Sequence, residues 1–239
     1  MLDVHLVHGA WCDSSHVAPL AHRLSHFGFR VRSLSLPGHG PEGDPSYQRL
    51  SEYVDSVSRA LTEPTILVGH SMGGLIAQHV AMQNPLVSRL VLLASAPPPG
   101  ILYRGTIWAR VWRYWRSFAN SRAFCLDEAD VRDLLLAPRV REHVPFRSES
   151  GRAVREMVLA QFAPVSAMVV PCPVLVIGGT EDCIIRPSVT ARIARRYGVS
   201  PQLLHGAGHM LGLEPWAPRV ASIIALWSAV SLEPAHAAE

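Results

Sequence analysis

The feature that most constrains this chain is a regular exchange between two hydrophobic periods. Short apolar runs ("DVHLVHG", "RVRSLSLPG", "TILVGHS", "SRLVLLASAPPPG", "CPVLVIGG" and the weaker "SPQLLHG") alternate with stretches whose apolar residues recur every three to four positions. "SHVAPLAHRLSHFG" places Val17, Leu20, Leu24 and Phe27 on one helical face and is closed by Gly28. "YQRLSEYVDSVSRALTEP" stops at Pro64, and "MGGLIAQHVAMQNP" stops at Asn84-Pro85. Two further helices are expected, "PSVTARIARRYG" and a last one from about Pro215 to Val230. Apolar strands separated by helices of this length close, with right-handed crossovers, into a parallel sheet. The expectation is an α/β chain, doubly wound, with a mainly parallel sheet of about six strands. A chain of 239 residues, 49% of them hydrophobic, can bury the core such a sheet needs.

The alternation breaks off between Pro97 and Pro164. This stretch opens with "PPPG", has no strand pattern and has room for about three helices. An insertion between strands of an open α/β sheet sits over an edge, usually above the strands' carboxyl ends where ligands bind. The expected organisation is therefore a core of residues 1–96 and 165–232, a helical cap of residues 97–164 and a frayed tail of residues 233–239. Within the cap, "YRGTIWARVWRYWRSFA" puts Trp108, Trp112, Trp115 and Phe118 on one helical stripe, with Arg104, Arg110, Arg113 and Arg116 mostly opposite. Such a face can line a pocket for an acyl chain, rest on an anionic lipid surface, serve as a dimer surface or simply pack on the core. "LDEADVRDLLLAP", with Asp127 as N-cap, and "SESGRAVREMVLAQF" are the other expected cap helices.

Composition removes several chemistries. No lysine occurs, so all 22 basic residues are arginine; Schiff-base catalysis and a P-loop both lack their Lys. The net charge of +3 is spread along the chain and leaves no nucleic-acid footprint. Cys12, Cys125, Cys172 and Cys183 show no C-x-x-C spacing, and the twelve histidines form no H-E-x-x-H. Neither a metal nor an organic cofactor is expected. The start "MLDVHLVHGAW" lacks a basic segment and a long apolar core, and no apolar run approaches 18 residues. The expected setting is cytoplasmic, with no transmembrane segment.

The motif that carries chemistry is "GHSMGG" at residues 69–74, directly after the apolar run "TILV". A turn alone needs one glycine. Gly69, Gly73 and Gly74 around one Ser71 read either as a nucleophile on a sharp strand-to-helix turn or as a glycine-rich turn whose serine caps the helix. A serine nucleophile needs a base oriented by an acid. Asp182 in "GGTEDC" and His209 in "GAGHM" both fall at carboxyl ends of later strands, on the same side of the sheet as Ser71.

Taken together, "VHGAW", "LPGHG", "GHSMGG", "GGTED" and "GAGHM" resemble the α/β-hydrolase superfamily, and within it the small serine esterases and lysophospholipases, across the chain outside the cap. The resemblance implies Ser71 as nucleophile, His209 as general base and then acid, and Asp182 as orienting carboxylate, with the adjacent Glu181 as competitor. It also implies an oxyanion hole from the backbone N–H groups of Ala10 and Met72. Trp11, His70, Trp108, Trp112, Trp115 and Met210 are the candidate substrate-binding residues. His70 reads as a pocket wall, His8 and His39 as loop-shaping residues, His205 as structural, and Cys12 and Cys183 as small buried side chains. By the same resemblance the chain begins at what is usually the family's third strand, and "CDSSHV" stands where many relatives are more aromatic. A serine nucleophile argues against epoxide hydrolase and dehalogenase chemistry, and Met210 with the missing lysine against hydroxynitrile lyases. The implied function is hydrolysis of a small carboxylic ester through an acyl-enzyme. A thioesterase acting on coenzyme A or acyl-carrier-protein esters, a carbon–carbon hydrolase, and a non-hydrolytic binding protein on the same fold are the alternatives.

Overall fold

The computed structural model describes residues 2–40, 42–103, 112–136, 145–160, 169–213 and 215–230. Six strands form one all-parallel sheet: β1 (Asp3–Val7), β2 (Arg30–Leu34), β3 (Thr65–His70), β4 (Val87–Leu93), β7 (Val174–Gly179) and β8 (Gln202–Leu204), in the spatial order β2-β1-β3-β4-β7-β8. β1 hydrogen-bonds to β2 on one side and to β3 on the other, so the connection from β2 to β3 crosses over β1. Helices α1 (Ala18–His26) and α8 (Ala217–Val230) cover one face, while α2 (Leu50–Ala60), α3 (Met72–Gln83) and α7 (Pro187–Arg196) cover the other. The covering explains the continuous apolar strand runs. In β3, Ile66 and Val68 pack with Leu20, Leu24 and Ile224, and Leu67 packs with Leu75 and Val80 on the opposite side. A strand buried on both faces reads as an apolar run rather than an alternating one, and the polar residues that do occur, such as His5 in β1, are hydrogen-bonded.

Helix α1 is shorter than its sequence pattern. Leu20 and Leu24 are buried, but Phe27 lies past the last turn and is 52% exposed; Gly28 closes the helix at φ 84°. The expected inward role of Phe27 is therefore corrected: once the helix ends at His26, the 3.6-residue period no longer places the next side chain.

Between β4 and β7 the described insertion comprises a 3₁₀ turn at Trp112–Tyr114, α4 (Trp115–Asn120), α5 (Glu128–Asp130), a π-helical turn at Val131–Leu135, and α6 (Gly151–Ala160). Asp127 caps α5, its carboxylate accepting the Asp130 N–H at 2.7 Å. The sequence pattern gave no strand here, yet β5 (Ala123–Phe124) and β6 (Glu149–Ser150) pair antiparallel. Two-residue strands are too short to print a period.

Glu149 fastens this insertion to the core. Its side chain is fully buried and accepts from the Tyr53 hydroxyl (2.9 Å), the Ser150 N–H (2.7 Å) and His39 Nε2 (2.9 Å). The other ring nitrogen, His39 Nδ1, faces the Pro37 carbonyl at 3.1 Å. With an acceptor facing each nitrogen, the arrangement favours the protonated form of His39. Burial works against that charge, but the hydrogen bond and charge of Glu149 outweigh it and raise the His39 pKa above 6.5.

Candidate active site

The carboxyl ends of β1, β3, β7 and β8 meet beneath the insertion. At the end of β3, Ser71 adopts φ 54° and ψ −120°, a conformation that costs a non-glycine residue about 1–3 kcal/mol. The turn survives because its surroundings come very close, and they can do so only against glycine. A Cβ on Gly69 would lie 2.6 Å from the Gly74 Cα, and one on Gly73 would lie 2.5 Å from the Val7 carbonyl oxygen. One on Gly74 would lie 2.6 Å from the Ser95 Cβ. The three glycines thus let the end of β1, the end of β4 and helix α3 converge behind one serine.

His209 Nε2 lies 2.9 Å from Ser71 Oγ, and His209 Nδ1 lies 2.9 Å from Asp182 Oδ2. Asp182 is buried, and its other oxygen accepts the Ile184 and Ile185 N–H groups, each at 2.8 Å. These two amides fix the carboxylate, which leaves Oδ2 for the imidazole. The neighbouring Glu181 takes no part: its main chain donates to the Ala207 carbonyl, and only Asp182 meets His209. A hydroxyl, an imidazole and a carboxylate joined in this order can move a proton off the serine as it attacks a carbonyl carbon.

His70 lines the cavity, as expected of a wall residue, and also holds the imidazole's backbone: its Nε2 donates to the His209 carbonyl at 2.9 Å. Complete burial, reinforced by the charge that would develop on His209, lowers its pKa to about 3. His70 is therefore a neutral positioning group beside the triad-like chain. His8 is held neutral in the same way, with its pKa also about 3, through burial and then His39. It accepts the Leu36 N–H on Nε2 (3.1 Å) and donates from Nδ1 to the Gly9 carbonyl (2.9 Å). His8 and His39 thus shape loops, while His205 is exposed.

Ala10 follows His8-Gly9 in a turn closed by the Cys12 N–H donating to the Gly9 carbonyl (3.3 Å), and Met72 opens α3 immediately after Ser71. Both are buried, and neither N–H has a hydrogen-bond partner among the described residues. Ala10 lines the same cavity as Ser71, Met72 follows that serine in sequence, and amides without a partner near a serine are suited to an oxygen that becomes negative.

A cavity of about 810 Å³, its open mouth included, runs from Ser71 into the insertion. On the core side it is lined by Ala10, Trp11, His70, His209 and Met210. On the other side Tyr114, Phe118, Phe124, Leu135 and Met157 close over it. Trp115 does not reach it: the indole is 48% exposed on the outer face, with the Arg116 guanidinium 5.6 Å from its ring centre. The helical stripe that placed it inward assumed one unbroken helix, whereas the backbone passes from a 3₁₀ turn into α4 between Tyr114 and Trp115. Phe118 does face the cavity, and Tyr114, four residues before it and on the same helical face, faces it in place of Trp115. Trp108 and the side chain of Trp112 lie outside the described residues. Cys12 is buried at the cavity wall as expected, but Cys183 is exposed. Among the described residues no group of three His, Cys, Asp or Glu side chains is placed to hold a metal ion, and no helix is long and apolar enough to cross a membrane.

Residues 145–147 escaped the sequence reading, and the helix expected from Ser148 starts only at Gly151, after β6. The Arg147 N–H donates to the Trp11 carbonyl (2.7 Å), and Arg147 Nε donates to Asp13 Oδ2 (2.6 Å). Burial opposes ionisation of Asp13, but hydrogen bonds from Ser15 and Arg147 hold its carboxyl well below the usual range. Arg147 and Asp13 are 134 positions apart, and neither lies in a recognisable motif.

A parallel sheet that carries a serine on a strand-to-helix elbow, with histidine and aspartate supplied by later strand ends, defines a class of α/β enzymes. The chain belongs to the alpha/beta hydrolase family, whose family model matches residues 6–222. Among curated relatives, the pimeloyl-[acyl-carrier protein] methyl ester esterase of Pseudoalteromonas atlantica is 35% identical over 44% of this chain and 41% of its own length. The esterase of the same name from Stenotrophomonas maltophilia is 28% identical over 68% of this chain and 61% of its own length. The match thus spans less than two thirds of either relative. Among solved structures, a methylesterase from Arabidopsis superposes with a TM-score of 0.76 at 19% identity, covering 98% of this chain and 100% of that one. A thermophilic esterase from Thermogutta terrifontis gives 0.71 at 22% identity, covering 96% and 90%.

Proposed function

We propose that this protein hydrolyses carboxylic esters through an acyl-enzyme on Ser71. The observation that carries the reading is the continuous chain from Ser71 Oγ through His209 to Asp182, with 2.9 Å at each step. In the proposed cycle Ser71 Oγ attacks the ester carbonyl while His209 Nε2 takes its proton, and Asp182 keeps the other ring nitrogen protonated. The carbonyl oxygen becomes an oxyanion facing the Ala10 and Met72 N–H groups. Collapse expels the alcohol, which receives the proton from His209, and leaves the acyl group on Ser71. A water molecule, deprotonated by His209, then attacks the acyl-enzyme; the acid leaves and Ser71 recovers its proton.

The acyl group is assigned to the apolar cavity under the insertion. The names of the curated relatives direct the choice of alcohol toward methanol. The test is intact mass after exposure to a fluorophosphonate, run beside methyl and p-nitrophenyl esters of two to twelve carbons. A single adduct on Ser71, together with ester turnover that peaks at one chain length, is the expected result. An adduct without ester turnover would move the reading to thioesters. No adduct at all would remove it.

A further inference from the structure

The turn Gly9–Cys12, which carries the Ala10 N–H, contains a second backbone anomaly. Trp11 sits at φ 59°, in the third place of a four-residue turn where glycine is the usual occupant. A large side chain remains there only when neighbouring contacts over-determine the backbone. Two of those contacts come from one residue of the insertion. Arg147 holds the Trp11 carbonyl through its main-chain N–H, and through Nε it holds Asp13, two residues further on. Asp13 is itself fixed: its Oδ1 accepts the Ser15 N–H at 2.9 Å, and its own N–H donates to His16 Nδ1 at 3.1 Å. Phe146, the residue before Arg147, packs on the His16 ring with centroids 4.8 Å apart. The turn lies against the serine, since a Cβ on Gly9 would sit 2.9 Å from the Ser71 Cβ. Arg147 does not line the cavity.

We infer that the Arg147 side chain is a positioning group for the oxyanion hole: by holding Asp13 it keeps the main-chain N–H of residue 147 on the Trp11 carbonyl, and so holds the Gly9–Cys12 turn in the conformation that presents the Ala10 N–H to the serine. The inference rests on the ester-hydrolase reading, in which that N–H receives the developing charge. The insertion then has two functions, because it covers the cavity and also sets the geometry of one catalytic donor in the core.

The test compares wild type, Arg147→Met, Arg147→Lys and Asp13→Asn on a p-nitrophenyl ester, with melting temperature recorded for each. Affinity for a trifluoromethyl ketone, whose tetrahedral adduct on Ser71 needs the oxyanion hole, is measured in parallel. Arg147→Met is expected to lower kcat roughly 10- to 100-fold, the scale of a displaced catalytic group, with KM within about two-fold. Ketone affinity should weaken by the same factor, Arg147→Lys should recover part of both losses, and Asp13→Asn should shift them in the same direction. In a Trp11→Gly background the turn no longer needs forcing, so Arg147→Met should cost less than about three-fold. A kcat per folded enzyme that stays at wild-type level in Arg147→Met, even with a lower melting temperature, overturns the inference. So does a kcat loss with unchanged ketone affinity, or the same loss in the Trp11→Gly background. A wild type inert to both the ester and fluorophosphonate overturns the hydrolase reading and this inference with it. An active wild type with an indifferent Arg147→Met overturns the inference alone.

Discussion

The two walls of the cavity are built by opposite means. The core wall is made of backbone: a serine at positive φ, three glycines that admit main chain at contact distance, and a His209 whose ring and carbonyl are both hydrogen-bonded. The insertion wall is made of apolar side chains, Tyr114, Phe118, Phe124, Leu135 and Met157, and is fastened from behind by buried charge at Glu149 and His39. Backbone geometry fixes positions to fractions of an ångström, whereas side-chain packing fixes volume and leaves shape adjustable. A reaction centre belongs on the first kind of wall and a specificity pocket on the second.

Substitutions in the two walls should therefore fail differently. Ser71→Ala is expected to lower ester turnover by about 10⁴- to 10⁶-fold while the urea midpoint holds or rises, since it removes the nucleophile and leaves the glycines. Asp182→Asn should cost about 10⁴-fold through the wrong imidazole tautomer, and Glu181→Gln should leave turnover near wild type. Equal losses in the two would erase the distinction drawn between the neighbouring carboxylates.

Glu149→Gln tests the fastening of the second wall. Breaking a buried ion pair costs about 3–5 kcal/mol, read as a lower urea midpoint. The pH dependence of that stability has two limbs of opposite sign. His8 and His70 have depressed folded pKa values of about 3, so their contribution is complete above 6.5 and is lost as pH falls from 6.5 toward 3. His39 has a raised folded pKa, so its contribution is complete below 6.5 and is lost as pH rises through the raised value. Denaturation curves across pH should show both limbs in wild type and only the acid limb in Glu149→Gln.

The smallest effects belong to the pair Phe118 and Trp115. Phe118→Ala enlarges the cavity, and preference should move to longer acyl chains by about ten-fold in relative kcat/KM. Trp115→Ala, on the outer face, should stay within two-fold on every chain length. A chain-length shift from Trp115→Ala would contradict the inward and outward assignment of this helix.

The same division governs what a reader of the sequence could foresee. Ser71, Asp182 and His209 each sit in a short motif attached to a strand end, and a parallel sheet brings all its strand ends to one side, so local text was enough to bring them together. The central strands β3 and β7 were legible because burial on both faces writes an apolar run, while the partly exposed edge strands β2 and β8 were legible from their place in the alternation with helices. Trp115 was misplaced because apolar spacing admits both Trp115 and Tyr114 as neighbours of Phe118 on a helix, and only the fold chooses between the i−3 and i−4 positions. The contacts of Arg147 with Asp13 and of Glu149 with His39 join residues 134 and 110 positions apart. A charged residue in a loop does not announce a buried partner that far away.

The convergence of β1, β4 and α3 behind Ser71 bears on how this protein can change over generations. A Cβ at Gly69, Gly73 or Gly74 would meet α3, the end of β1 or Ser95 closer than van der Waals distance, so a substitution at any of them is expected to harm folding and activity together. Selection cannot separate the two traits at that point, and variation there is closed. The insertion's face on the cavity is built of apolar side chains, so under the proposed function it can drift toward new substrates while the elbow stays fixed. Under the proposed function, diversity is expected to accumulate on the wall assigned to the acyl group.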